Sequence, residues 1–121
     1  MKEKLQAEPK LPLSPAMFHV LLALADSDKH GYAIMKEVSR ATNGDVSLSA
    51  GTLYGILRRL VADDMVVEKE ERPAPELDDE RRRYYRLTDF GRRVAQAEAR
   101  RLEEVLELAH SKRLLKRPAS A

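Results

Sequence analysis

Apolar residues along the chain change their period, and each change marks an element. Met17, Leu21, Leu22, Leu24 and Ala25 recur at helical spacing behind Ser14-Pro15, an N-cap followed by proline at the first helical position. The pattern predicts a first helix over about 14–26. Ile34, Met35 and Val38 give one apolar face to a second helix, Gly31 to Ala41, which Thr42-Asn43-Gly44 ends through a left-handed residue. Ser49 is the N-cap of a third helix that runs to about Asp63. There Leu53, Ile56, Leu57, Leu60 and Val61 fall at i, i+3, i+4, i+7 and i+8, the stripe of a helix lying on a core.

The helical period stops at Met65. Met65 to Glu70 reads as a strand, residues 72–80 with Pro73 and Pro75 as a loop, and Arg82 to Leu87 as a second strand. Tyr85 and Leu87 share one face of that strand, Tyr84 and Arg86 the other. Thr88 caps a last helix predicted to run to about Leu115, with Val94, Ala95, Ala97, Leu102, Val105, Leu106, Leu108 and Ala109 on its apolar side. At about 1.5 Å per residue such a helix is on the order of 40 Å long. A small domain cannot cover that length, so its far end needs a partner helix or stays wet.

The expected organisation is a flexible arm at 1–12, one domain at 13–88, a long helix at 89–116 and a disordered tail at 117–121. The fold class is mainly α with a β-hairpin. Three short helices followed by a hairpin is the order of a winged helix-turn-helix, here continued by a long C-terminal helix that the reading assigns to dimerisation.

Composition narrows the chemistry. The 121 residues include no cysteine, which excludes disulfides, thiolate metal sites and a cysteine nucleophile. The three histidines, His19, His30 and His110, have no ligand spacing, so neither a metal nor a cofactor is expected; His30 is read as a cap or packing residue. The longest apolar run, Val20 to Ala25, is too short to span a bilayer, and no signal-peptide core follows Met1, so a cytoplasmic protein without a membrane partner is expected. No nucleophile–base pair or phosphate loop is present, and an enzyme is not expected.

Net charge is only +2, so any case for nucleic acid rests on where the charges sit. The third helix begins with Ser49, Ala50, Gly51, Thr52, Tyr54 and Gly55, small or hydroxyl-bearing residues that suit close approach to phosphates or base edges. Arg58 and Arg59 lie one turn further on. Met65 to Glu80 holds seven acids and two bases, whereas Arg81 to Arg86 holds four arginines, two tyrosines and no acid. Arginine interleaved with tyrosine suits a wing lying along a phosphate backbone. The candidate DNA contacts are therefore Tyr32, Ser49, Thr52, Tyr54, Arg58, Arg59, Arg81, Arg82, Arg83 and Tyr84. For Tyr32 packing is an equal alternative, and for Thr52 a bond within the helix is a rival. Candidate dimer residues are Phe18, Val94, Leu102, Val105, Leu106 and Ala109.

His30-Gly31-Tyr32-Ala33-Ile34, Leu48-Ser49-Ala50-Gly51-Thr52-Leu53-Tyr54, Leu57-Arg58-Arg59-Leu60 and Arg82-Arg83-Tyr84-Tyr85-Arg86-Leu87-Thr88 with Gly91 occur in that order. Together they make the chain resemble the PadR family of bacterial transcriptional regulators over about residues 14–110. The short length is similar to that of the small members. The resemblance implies a homodimer built from the long helix and the first helix, operator DNA as partner, repression of transcription, and for some members release by a small aromatic effector. Ala50 and Gly55 stand where the family commonly has proline, and the wing loop is longer and more acidic. The chain has no tryptophan, so the drug-stacking mode of the small members is not carried over. The alternative function is a winged-helix protein-interaction module without specific DNA readout, which the low net charge and acidic wing tip favour slightly.

Overall fold

The computed structural model describes residues 6–7, 10–71 and 82–116. Its elements are α1 (Pro15–Leu24), β1 (Lys29–His30), α2 (Gly31–Ala41), α3 (Ala50–Ala62), β2 (Val66–Glu71), β3 (Arg82–Leu87) and α4 (Asp89–Ser111). The acidic loop at 72–80, Arg81, the tail at 117–121 and most of the arm at 1–9 lie outside the described residues.

Local chemistry sets the helix ends. Ser14, Ser49 and Thr88 cap α1, α3 and α4 by accepting the backbone N–H groups of Met17, Thr52 and Gly91. His30 caps α2, its Nδ1 accepting the Ala33 N–H at 3.2 Å. The later helices stop alike, each with a left-handed residue after the cap: Asn43 (φ 51°), Asp64 (φ 63°) and Arg113 (φ 61°). The next N–H then folds back onto a carbonyl of the last turn, from Gly44 to Ser39, Met65 to Leu60 and Leu114 to Ala109. That last closure ends α4 at Ser111, short of the expected Leu115.

The sheet has the order β1-β3-β2 and is antiparallel throughout. Val66 pairs with Leu87 and Glu68 with Tyr85. The third strand, β1, was not foreseen: it is two polar residues long and has no period of its own. Only its pairing, Lys29 with Tyr85 and His30 with Tyr84, makes it a strand.

One core joins all the major elements. It holds Val20, Leu21 and Leu24 of α1, Ile34 and Val38 of α2, Leu53, Leu57 and Leu60 of α3, Val66, Tyr85 and Leu87 of the sheet, and Phe90 and Val94 of α4. Val94 has no exposed surface within a single chain, so it belongs to this core and not to a dimer seam as expected. Phe18 is half-buried against the same core. Leu22, expected on the apolar side of α1, is 44% exposed.

Within the arm expected at 1–12, Ala7 is buried and Leu11 lies against the core, and Leu13, the first residue of the expected domain, is buried beside them. Lys10 pairs with Asp63 at 3.7 Å, and the Leu13 N–H donates to buried Glu98 on α4 at 3.3 Å. Glu98 is held in turn by Arg101, whose Nε and Nη2 donate to it at 2.6 and 3.0 Å. Beyond Arg101 the helix leaves the core. Leu102, Val105, Leu106 and Leu108 are all 40–60% exposed.

Candidate nucleic-acid interface

The outer surface of α3 is open where its sequence is small. A β-carbon added to Gly51 would meet nothing within 4 Å, and one added to Gly55 would only reach Arg58 Nη2 at 3.9 Å. Backbone can therefore be approached closely along this face. Ser49 and Thr52, both exposed, are already engaged with each other. Ser49 Oγ accepts the Thr52 N–H at 3.2 Å and donates to Thr52 Oγ1 at 3.0 Å. This is the bond within the helix that the sequence left as a rival reading, and it leaves the Thr52 hydroxyl proton available to an incoming acceptor.

Arg58 and Arg59 diverge to different sides of α3. Arg58 faces the wing and helps line a groove of about 680 Å³ between α3 and the β2–β3 hairpin. Its floor is Leu57, and Tyr54, Glu68, Arg83 and Tyr85 stand around it. Arg59 faces elsewhere, toward Lys10, Met17 and Asp63, beside the N-terminal segment. The groove gathers three of the expected contact residues, Tyr54, Arg58 and Arg83; Arg59 lies apart from them.

Inside the groove, Glu68 Oε1 accepts from Arg83 Nη1 and from Tyr85 Oη, each at 3.2 Å. Tyr85 is buried, and that burial, followed by the negative charge of Glu68, pushes its pKa up to about 12. Tyr54 is 38% exposed, and its phenol lies against Gly31 at the start of α2.

A second cluster sits on the outer face of the sheet, at the start of α2. Tyr32 is 60% exposed, with its ring 6.5 Å from that of His30 and the Lys36 ammonium 5.4 Å above it. Tyr84 meets His30 edge-on, with 5.6 Å between ring centroids, so part of its face is used in packing. Arg86 is paired with Asp28 at 3.1 Å through both Nε and Nη2. Of the remaining expected contacts, Arg81 and the side chain of Arg82 lie outside the described ones.

The sequence reading missed Glu68, Asp28 and Lys36. Glu68 was legible in principle, because pairing the two strands from Val66–Leu87 outward sets it opposite Tyr85, next to an arginine on the same face. Lys36 lies four residues after Tyr32 on one helix face, which was also readable. Asp28 meets Arg86 only through the fold.

Helix-turn-helix α2–α3, a hairpin wing and an open polar face on α3 define a winged helix-turn-helix protein. The profile of the transcriptional regulator PadR-like family matches residues 20–97, and the chain belongs to that family, whose members are transcriptional regulators and not enzymes. It is 37% identical over 87 residues to a transcriptional regulator of Mycobacterium tuberculosis, an alignment covering 72% of this chain and 75% of the relative. A PadR family regulator from Eggerthella lenta superposes with a TM-score of 0.64 at 27% identity, covering 84% of this chain and 83% of that one. Bacillus subtilis PadR, solved in complex with operator DNA, shares the fold with a TM-score of 0.60 at 15% identity. That match covers 88% of this chain and 52% of the larger protein. No helix among the described residues is long and apolar enough to cross a membrane.

Proposed function

We propose that the protein is a homodimeric, sequence-specific DNA-binding regulator that acts as a repressor. Each α3 enters a major groove, and two of them read half-sites about 34 Å apart on a pseudo-palindromic operator. The observation that carries this reading is the pairing of an open Gly51–Gly55 face with a groove whose two walls each contribute an arginine, Arg58 and Arg83. Base edges can approach the first while a phosphate strand follows the second. The operator complex of the Bacillus subtilis protein supports the same use of the fold.

Dimerisation is supported by Leu102, Val105, Leu106 and Ala109, which fall at i, i+3, i+4 and i+7 on the part of α4 that touches no core. Repression, and release by a small aromatic effector, rest on the family resemblance. The test is fluorescence anisotropy with DNA from upstream of the protein's own gene, at two salt concentrations and with random DNA as competitor. Tight binding that survives the competitor and weakens with salt supports the reading. Binding no tighter than to random DNA overturns it, and the protein-interaction alternative then leads. A reporter under the same promoter tests the sign of regulation.

A further inference from the structure

We propose that Glu68 is an affinity-setting residue of the wing, a fixed negative charge standing in the path of the DNA phosphates that keeps Arg83 partly withheld from them. The inference rests on the DNA-binding reading above. If α3 lies in a major groove, the strand bordering that groove passes between α3 and the hairpin, where Arg58 and Arg83 face each other across the groove. Glu68 is the acid among the described residues that line it, and it reduces the charge offered by Arg58, Arg83 and itself from +2 to +1.

Two features make this acid different from an ordinary exposed one. Its Oε1 is held from two sides, by Arg83 Nη1 and by Tyr85 Oη at 3.2 Å. Tyr85 is anchored in the core at 4% exposure, so the carboxylate is tied to a rigid point and does not swing clear of an arriving phosphate. The fold needs an acceptor for the Tyr85 hydroxyl, and an amide oxygen at position 68 would serve equally well. Folding therefore requires an oxygen here and not a charge. The charge acts on what enters the groove: Arg83 reaches a phosphate only by leaving or sharing Glu68.

Glu68→Gln separates the two roles, since it retains an acceptor for Tyr85 and removes the charge. Wild type, Glu68→Gln and Asp28→Asn are compared on a random duplex and on the upstream duplex across a salt series, with thermal melts confirming the fold. Asp28→Asn changes net charge equally but frees Arg86, which does not line this groove. The expected result for Glu68→Gln is tighter binding to both duplexes, roughly 3- to 10-fold at low salt. Its log–log salt slope should steepen by about 0.9, the signature of one more phosphate neutralised. Asp28→Asn should change binding less.

Weaker binding and a flatter slope in Glu68→Gln would mean that Glu68 positions Arg83 for contact, and the proposal would be wrong. Unchanged binding, or equal tightening by Asp28→Asn, would also overturn it. Failure of every variant, wild type included, to bind either duplex at low salt would instead overturn the DNA reading and this inference with it.

Discussion

The phenol of Tyr54 occupies the space in which a side chain at Gly31 would lie: a β-carbon there would sit 2.8 Å from Tyr54 Cζ and closer still to the hydroxyl. The contact locks the start of α2 against the middle of α3, so it sets how the recognition helix is presented. Gly31→Ala must push the ring aside or tilt one helix. The colliding atoms are the end of a partly exposed ring, so the cost should be at the low end of overpacking, up to about 1 kcal/mol. Gly51→Ala is the control. Its β-carbon meets nothing, and alanine is the better helix former by about 1 kcal/mol, so stability should hold or rise. Urea unfolding distinguishes the two. In a Tyr54→Ala background, Gly31→Ala should lose most of its effect, because the colliding ring is gone.

The divergence of Arg58 and Arg59 separates two adjacent residues that sequence treats alike. Arg58→Ala removes a cation from the groove between α3 and the wing. DNA affinity should fall, with the salt slope flattening by about 0.9 for one lost phosphate contact. Arg59→Ala removes a cation that faces Lys10 and Asp63, and its slope should change less. Equal slopes for the two variants would show that the wing-side groove is not the phosphate track.

Most of the fold was legible because its signals are local. Spacing such as Leu53, Ile56, Leu57, Leu60 and Val61, and caps such as Ser49 and Thr88, act within one or two turns, and the observed helices begin where these residues place them. The strand at Lys29–His30 was not legible, since it owes its existence to Tyr84 and Tyr85, more than fifty residues away. The site divides in the same way. Tyr54 and Arg83 could be named from chain position, but their partners Gly31 and Glu68 come from other elements. The stripe on α4 shows the limit of periodicity: Val94 and Leu106 belong to the same pattern, yet one is in the protomer core and the other is 45% exposed. Period gives the face of a helix, and only the surrounding fold says what covers it.

That split predicts opposite phenotypes along one helix. Leu102→Glu or Leu106→Glu puts a charge on the exposed stretch. If the proposed homodimer forms through this stretch, each protomer should stay folded while sedimentation velocity shifts from dimer in the wild type to monomer in the variant. Val94→Ala empties space in the core instead. It should cost about 2 kcal/mol of protomer stability, by lost burial and a residual cavity, with assembly otherwise unchanged. Wild type sedimenting as a monomer at micromolar concentration would remove the α4 seam.

Glu98 ties the N-terminal segment to α4 and gives the fold an acid-sensitive joint. It is 2% exposed, and its carboxylate accepts from Arg101 and from the Leu13 N–H. The hydrogen bond from Arg101, helped by its positive charge and by the Leu13 amide, holds the pKa below the usual 4.5 although burial alone would raise it. A carboxyl whose pKa is lower folded than unfolded binds fewer protons in the native state. Its contribution is therefore complete above the unfolded value and fades as pH falls through the lowered one. Glu98→Gln keeps an acceptor for Leu13 but loses the charge. At pH 7 its Tm should lie below wild type by roughly 3–5 °C, equivalent to about 1 kcal/mol in a domain of this size. Between pH 5 and pH 3 the difference should shrink, because wild type loses the charge that the variant never had. Thermal melts of both proteins across that range check the sign. A gap that stays constant, or widens in acid, would mean that the Glu98 carboxylate does not hold the N-terminal segment through its charge.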